Sequence, residues 1–154
     1  MISYVENLML ISIFTENGKL KNLKFVDFQV MNFTSPLRDL PYFLCASTSS
    51  EVLEHHFDDL LDTYYEKLVE TVKQLGCDVS SFTKESFEQQ LQHDGKIEFA
   101  HCIMALKFFT MDVNEETDLD DIKSTIIFGE NNSLYIDRVW KVVCKFVEKD
   151  WLYH

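Results

Sequence analysis

Apolar and polar positions along this 154-residue chain follow two different periods. Leu8-Met-Leu-Ile-Ser-Ile-Phe14 and the run from Leu23 to Phe28 are strand-length apolar segments, and Thr15-Glu-Asn-Gly-Lys19 lies between them. Asn17 and Gly18 both tolerate positive φ, which a tight hairpin turn requires, so the first thirty residues predict a β-hairpin. After Ser35-Pro36 the period becomes helical. Asp39 opens a short helix whose Leu40, Phe43 and Leu44 share one face. Thr48-Ser-Ser-Glu51 reads as a capping box with Thr48 as the N-cap. It opens one long helix striped by Leu53, Phe57, Leu60, Leu61, Tyr64, Leu68, Val72 and Leu75, ending at Gly76, a natural C′ residue.

A second helical group starts at Thr83, an N-cap candidate, and runs through Phe87 and Leu91 to a break at His93-Asp-Gly-Lys96. Ile97 to Met111 then predicts an apolar helix with Phe99, Cys102, Ile103, Leu106 and Phe109 inward. Asn114-Glu-Glu-Thr-Asp-Leu-Asp-Asp121 reads as a solvated acidic stretch. The segment from Leu134 to Lys149 is amphipathic through Ile136, Val139, Trp140, Val143 and Phe146. The predicted fold class is α+β: one β-hairpin followed by a mainly helical bundle, with no repeat and no low-complexity linker dividing it.

Composition sharpens this picture in three respects. The chain is 46% hydrophobic and 14% aromatic, enough to build a core and far from a disordered composition. A formal net charge of −12 excludes nucleic acid, whose phosphates need clustered Lys and Arg, and disfavours anionic membrane surfaces. Cys45, Cys77, Cys102 and Cys144 are too widely spaced for a zinc site or a disulfide framework, and three of them sit in apolar, helical-looking stretches, so buried free thiols are the default. The N-terminus has no basic n-region or small-residue cleavage site, and the apolar run from Leu8 is too short to span a bilayer. A cytoplasmic protein is the expectation.

The chemistry is concentrated in three residues. Asp27 ends the second strand pattern, Asn7 stands just before the first, and Asp39 begins the first helix. A hairpin would bring Asn7 and Asp27 near one another at its open end. Adjacent His55-His56 and Asp58-Asp59 give only two-ligand fragments on a helix and read as exposed surface. No Gly-rich phosphate cradle, G-x-S-x-G or H-E-x-x-H element occurs.

Phe25-Val-Asp-Phe-Gln29, Ser35-Pro36 and Asp39-Leu-Pro-Tyr-Phe-Leu44, with His56-Phe-Asp-Asp-Leu-Leu61, Tyr64-Tyr65 and Leu75-Gly-Cys77, resemble the ecdysteroid kinase-like (CHK kinase-like) family. That family is related to choline kinases and aminoglycoside phosphotransferases. The likeness implies a protein-kinase-like C-terminal lobe spanning residues 1–154, with the N-terminal lobe lying outside this chain. It implies ATP and Mg²⁺ as cofactors and a small-molecule alcohol, a steroid among the candidates, as phosphoryl acceptor. Asn7 and Asp27 then become the magnesium ligands, and Asp39 a structural acid bonded to the backbone of the catalytic loop. Tyr4-Val-Glu-Asn-Leu-Met9 resembles the tail of that loop, and the spacing sets the catalytic Asp position on Ile2. The expectation is therefore a kinase fragment inactive as this isolated chain. The alternative is a non-catalytic helical binding module whose surface facing the N-terminal lobe takes a partner or a second copy.

Overall fold

The structure, a computed structural model, describes residues 4–5, 9–14, 17, 19–26, 31–32, 34–111, 118, 124, 126 and 129–152. Strands β1 (Tyr4–Val5), β2 (Met9–Phe14), β3 (Leu20–Val26) and β4 (Met31–Asn32) precede, among the described residues, five helices of six residues or more. These are α1 (Asp39–Ser47), α2 (Ser50–His55), α3 (Phe57–Gln74), α4 (Lys84–Thr110) and α5 (Ser133–Glu148). The described part is mostly helical.

The expected hairpin is the antiparallel β2–β3 pair, in register from Met9 opposite Val26 to Phe14 opposite Leu20. Its return strand begins at Leu20, three residues before the apolar run suggested. A register shift at Ile13/Phe14 takes up an extra residue on β3 and lets pairing continue past the hydrophobic segment. A second short ladder, unforeseen, pairs β1 with β4, with Tyr4 opposite Asn32 and Val5 opposite Met31.

The single long helix predicted after Thr48 is two helices. Thr48 is the C-cap of α1, and its hydroxyl donates to the Leu44 carbonyl. The N-cap of α2 is instead Ser49, whose Oγ accepts from the Val52 amide at 3.3 Å. The break falls at His56, with φ −126° and ψ 5°. At the far end of α3, Gly76 has φ +75°, and the Gly76 and Cys77 amides donate to the carbonyls of Lys73 and Val72. That is a Schellman closure with glycine at its left-handed position.

No break occurs at His93-Asp-Gly-Lys96, where α4 runs uninterrupted for 27 residues. Gly95 is there to admit a neighbour. A Cβ on it would stand 2.8–2.9 Å from three ring atoms of Trp151. Trp151 is aimed by a second Schellman turn, in which Asp150 takes the left-handed position (φ 56°) and the Trp151 amide donates to the Phe146 carbonyl at 2.8 Å. The indole then packs edge-on to Phe146 (centroids 5.3 Å) and against Phe57 (5.8 Å). This aromatic cluster joins α3, α4 and α5 and continues into a core containing Leu40, Leu44, Leu53, Leu91 and Leu106.

Three predicted faces are corrected, the first being the stripe of the long helix, where Leu60 is 37% and Leu75 is 73% exposed. Phe109 is 55% exposed, not inward, whereas Cys102 and Leu106 are buried as expected. On α5 the buried residues are Arg138, Val142, Lys145 and Phe146, while Ile136 and Trp140 are 57% and 67% exposed. Arg138 is held inside by the carbonyls of Cys45 and Thr48, capping the α1–α2 corner from across the bundle. All four cysteines are free, Cys45 and Cys102 buried as foreseen, but Cys77 and Cys144 exposed. Among the described residues no helix is long and apolar enough to cross a membrane.

Candidate functional site

The turn that launches α1 is built from its own short side chains. Ser35 Oγ accepts from the Leu37 amide at 3.1 Å, and the Arg38 amide donates to the Ser35 carbonyl at 3.3 Å. Tyr64 on α3 clamps the turn by donating its hydroxyl to the Pro36 carbonyl at 2.9 Å. Asp39 thus enters the first turn of α1, where the helix dipole favours a carboxylate. Pro41 fits the same turn, because the amide it lacks would have had no intrahelical partner.

Beside Asp39 the structure brings in residues that sequence reasoning missed. Glu98 on α4, with only 6% of its side chain exposed, accepts from Arg38 Nε at 2.7 Å through Oε1. Its other oxygen, Oε2, lies 2.7 Å from His101 Nδ1. A nearly buried carboxylate needs such partners, and charge-assisted bonds of this length are the stronger kind. The outer member, Arg38, is 26% exposed. Glu98 and His101 are three apart on one helix, a spacing that places them on a shared face and was readable in the sequence. What the sequence did not show is Arg38 arriving from α1, sixty positions away.

These groups form the polar wall of a cavity of about 390 Å³ between α1 and α4, with Asp39, Tyr42, Glu98 and His101 on that side. The rest of its lining is apolar: Met104, Ala105, Phe108, Phe109 and Ile126. Burial pushes the Tyr42 phenol above its ordinary pKa, and Cys102, Asp39 and Glu98 push in the same direction. Tyr42 is accordingly a neutral hydrogen-bond donor at physiological pH. Beneath it the Cys102 thiol is also pushed up, by its hydrogen bond with Cys45 and then by burial, which makes it an inert packing group.

An adjoining cavity of about 290 Å³ is lined by Lys107, Asn131 and Tyr135, among others. Lys107 Nζ donates to the carbonyls of Gly129 (2.9 Å) and Glu130 (2.8 Å) and to Asn131 Oδ1 (2.7 Å). All three ammonium protons are therefore committed to tethering the 129–131 segment to α4.

Asp39 is the predicted site residue that the structure describes. Asn7 and Asp27 lie outside the described residues, as does Ile2. The β2–β3 register pairs Met9 with Val26, two positions after Asn7 and one before Asp27 in sequence. On the helices, His56 and Asp59 form an exposed pair at 3.8 Å, and Asp58 is engaged by Lys149. Among the described residues no group of three or more His, Cys, Asp or Glu is placed to hold a metal ion.

Residues 3–77 match the ecdysteroid kinase-like family, a segment that contains Asn7, Asp27 and Asp39 and stops short of Glu98 and His101. No curated protein and no solved structure matches the chain. Through that segment, from the tail of the loop-like motif at Tyr4 to the Schellman turn at Cys77, the chain is similar to the ecdysteroid kinase-like family.

Proposed function

We propose that this chain carries the metal-side part of an ATP- and Mg²⁺-dependent kinase acting on a hydroxyl of a small molecule, and that these 154 residues alone do not catalyse the transfer. The observation that supports it is the family match over residues 3–77, which spans Phe25-Val-Asp-Phe-Gln29. Asn7 and Asp27 would hold Mg²⁺. One amide oxygen and one carboxylate are the hard donors that ion prefers, so the donor chemistry fits. When bound, the metal would neutralise charge on the transferring phosphates. Asp39 would act behind them, fixing the backbone of the loop that contains Asn7 from the first turn of α1.

Inactivity is argued from Ile2. By the motif's spacing it stands where a carboxylate would accept the acceptor's proton, and an aliphatic side chain can neither accept nor orient it. Losing such a base costs on the order of 10²-fold or more in rate. A second reading, a non-catalytic helical binding module, is favoured by the exposed Ile136 and Trp140 on α5.

One pair of measurements on the full chain decides between them. Mn²⁺ added to isotope-labelled protein should broaden the Asn7 and Asp27 resonances first, and Asp27→Asn should abolish this, while radiolabelled ATP should give no phosphorylated alcohol. Mn²⁺ broadening elsewhere or nowhere would remove the magnesium assignment and leave the binding module. ATP-dependent, Asp27-dependent phosphorylation of any alcohol would overturn the claim of inactivity.

A further inference from the structure

Helix α5 turns a complete apolar stripe away from the bundle. Ile136, Trp140 and Val147 are each more than half exposed, and half-buried Val143 completes the row. Spacings of four, three and four residues keep all four on one face, the kind of seam that a second helix fills in a coiled coil. We propose that this stripe is a self-association surface, on which α5 of a second copy of the chain packs antiparallel. The proposal is independent of the phosphotransferase reading, and it goes beyond the binding-module reading by naming the occupant.

The order of the stripe is the first support. It reads four, three, four from either end, so it is symmetric about the midpoint between Lys141 and Val142. A two-fold axis there sets Ile136 opposite Val147 of the second copy, and Trp140 opposite Val143. The indole then meets a valine, whereas a parallel pair would set the two indoles against each other at one level. Area is the second support. From the exposed fractions, the stripe offers about 400 Å² per copy, within the range of patches that mark interaction sites. Two stripes face to face remove about 800 Å² before their rims join, which is below permanent interfaces and suits a weak, concentration-dependent pair.

Charge decides where two such copies can meet. Each carries a net charge of −12, so they repel except where charge is sparse. Helices α1 to α4 each hold more acids than bases, whereas α5 has three cations, Arg138, Lys141 and Lys145, against Asp137 and Glu148. None of these five interrupts the stripe: Asp137 and Glu148 flank it, and Arg138 and Lys145 are buried on the other side. In the antiparallel register Asp137 approaches Glu148 of the second copy, and Lys141, 3.3 Å from Asp137, offsets that approach only in part. Salt should therefore tighten the pair by screening what repulsion is left.

The test is sedimentation equilibrium of the full chain over a wide concentration range, without nucleotide or metal. The average mass should rise from that of one chain to that of two, with a dissociation constant on the order of 10–100 µM. That constant should fall about threefold or more between low and high salt. Trp140→Glu should remain a monomer, while Leu75→Glu, at an exposed apolar residue just past α3, should dimerise like its parent. Ile136→Lys or Val147→Glu alone should weaken the dimer about tenfold, and the two together should recover most of that loss, because only antiparallel helices set position 136 against position 147. A monomer at every concentration, assembly continuing past the dimer, or a dimer kept by Trp140→Glu would each overturn the proposal. So would loosening by salt, the signature of a charge-matched contact, or a double variant no better than its singles. Circular dichroism checks the fold of each variant, and should Trp140→Glu unfold, the variants at 136 and 147 decide.

Discussion

Gly95→Ala sets two opposed effects of unequal size against each other at one residue. In an ordinary helix interior alanine is favoured over glycine by about 1 kcal/mol, because glycine loses more backbone entropy on folding. At Gly95 the new Cβ would lie 2.8 Å from Trp151 Cδ2 and 2.9 Å from Cε3 and Cγ. Carbon contacts are comfortable near 3.5 Å, so the indole must retreat by roughly 0.6 Å. It cannot do so freely, since Phe146 stands edge-on at 5.3 Å, Phe57 lies at 5.8 Å, and the Trp151 amide is tied to the Phe146 carbonyl. Overpacking of this kind costs about 1–3 kcal/mol, and contact with three ring atoms at once places this site near the top of that range. Subtracting the helix gain leaves a net loss of about 2 kcal/mol, or a Tm lowered by about 4–8 °C for a chain of this length. Urea unfolding followed by tryptophan fluorescence would measure it, with Trp140→Phe as background so that only the indole at 151 reports. A Gly95→Ala protein as stable as its parent, or more so, would refute the close-approach explanation. A double-mutant cycle with Trp151→Leu, followed by far-ultraviolet circular dichroism because the indole at 151 no longer reports, adds a check: the cost should largely vanish once the indole is gone, and simple additivity would count against a clash.

Two further outcomes follow from the same structure. Gly76 has φ +75° and nothing within 4 Å of the position a Cβ would take, so Gly76→Ala should cost about 1 kcal/mol through backbone strain alone, and Gly76→Asn less; equal destabilisation by both in urea melts would contradict that origin. Tyr42 has a folded pKa raised above 10, chiefly by burial, so the folded chain holds its proton more tightly than the unfolded chain does. Its contribution to stability is complete below about pH 10 and is lost as pH climbs through the raised folded value. Melts across the alkaline range should show a decline that Tyr42→Phe reduces, and an identical pH dependence in that variant would refute the assignment.

How much of the site was legible depended on whether its members were local. Asp39 was found because everything that fixes it, from the Ser35 turn to the apolar face of α1, is adjacent in sequence. Glu98 and His101 carried a local signal too, their three-residue spacing, but nothing marks such a pair as more than surface charge until its burial is known. Burial came from the packing of α1 on α4 and from Arg38, contacts of long sequence separation that no periodicity encodes. The hairpin was legible through Asn17-Gly18, whereas the β1–β4 ladder was not, because two-residue strands carry no pattern.

The misread helix faces share a single cause. Apolar residues on α5 form two stripes, Val139, Val142 and Phe146 on one side and Ile136, Trp140 and Val147 on another. Periodicity detects a stripe but cannot choose between two, and the natural guess puts the largest residue, Trp140, inside. The bundle chooses otherwise because the buried stripe also carries Arg138 and Lys145, whose heads have partners only inward or along the rim. Arg138 reaches the Cys45 and Thr48 carbonyls, and Lys145 lies 5.5 Å over the Phe57 ring while bonding Glu148. Turning α5 to bury Trp140 would leave the α1–α2 corner without its guanidinium and expose Phe146, which packs on both Phe99 and Trp151. The same reasoning reads the break wrongly predicted in α4. Glycine and aspartate together at 94–95 resemble a loop when only local preference is counted. With Trp151 returning from the end of α5, the glycine becomes the one residue that lets the two helices meet. In both helices the deciding partner lies more than forty residues away, which is why local periodicity located the helices but not their buried faces.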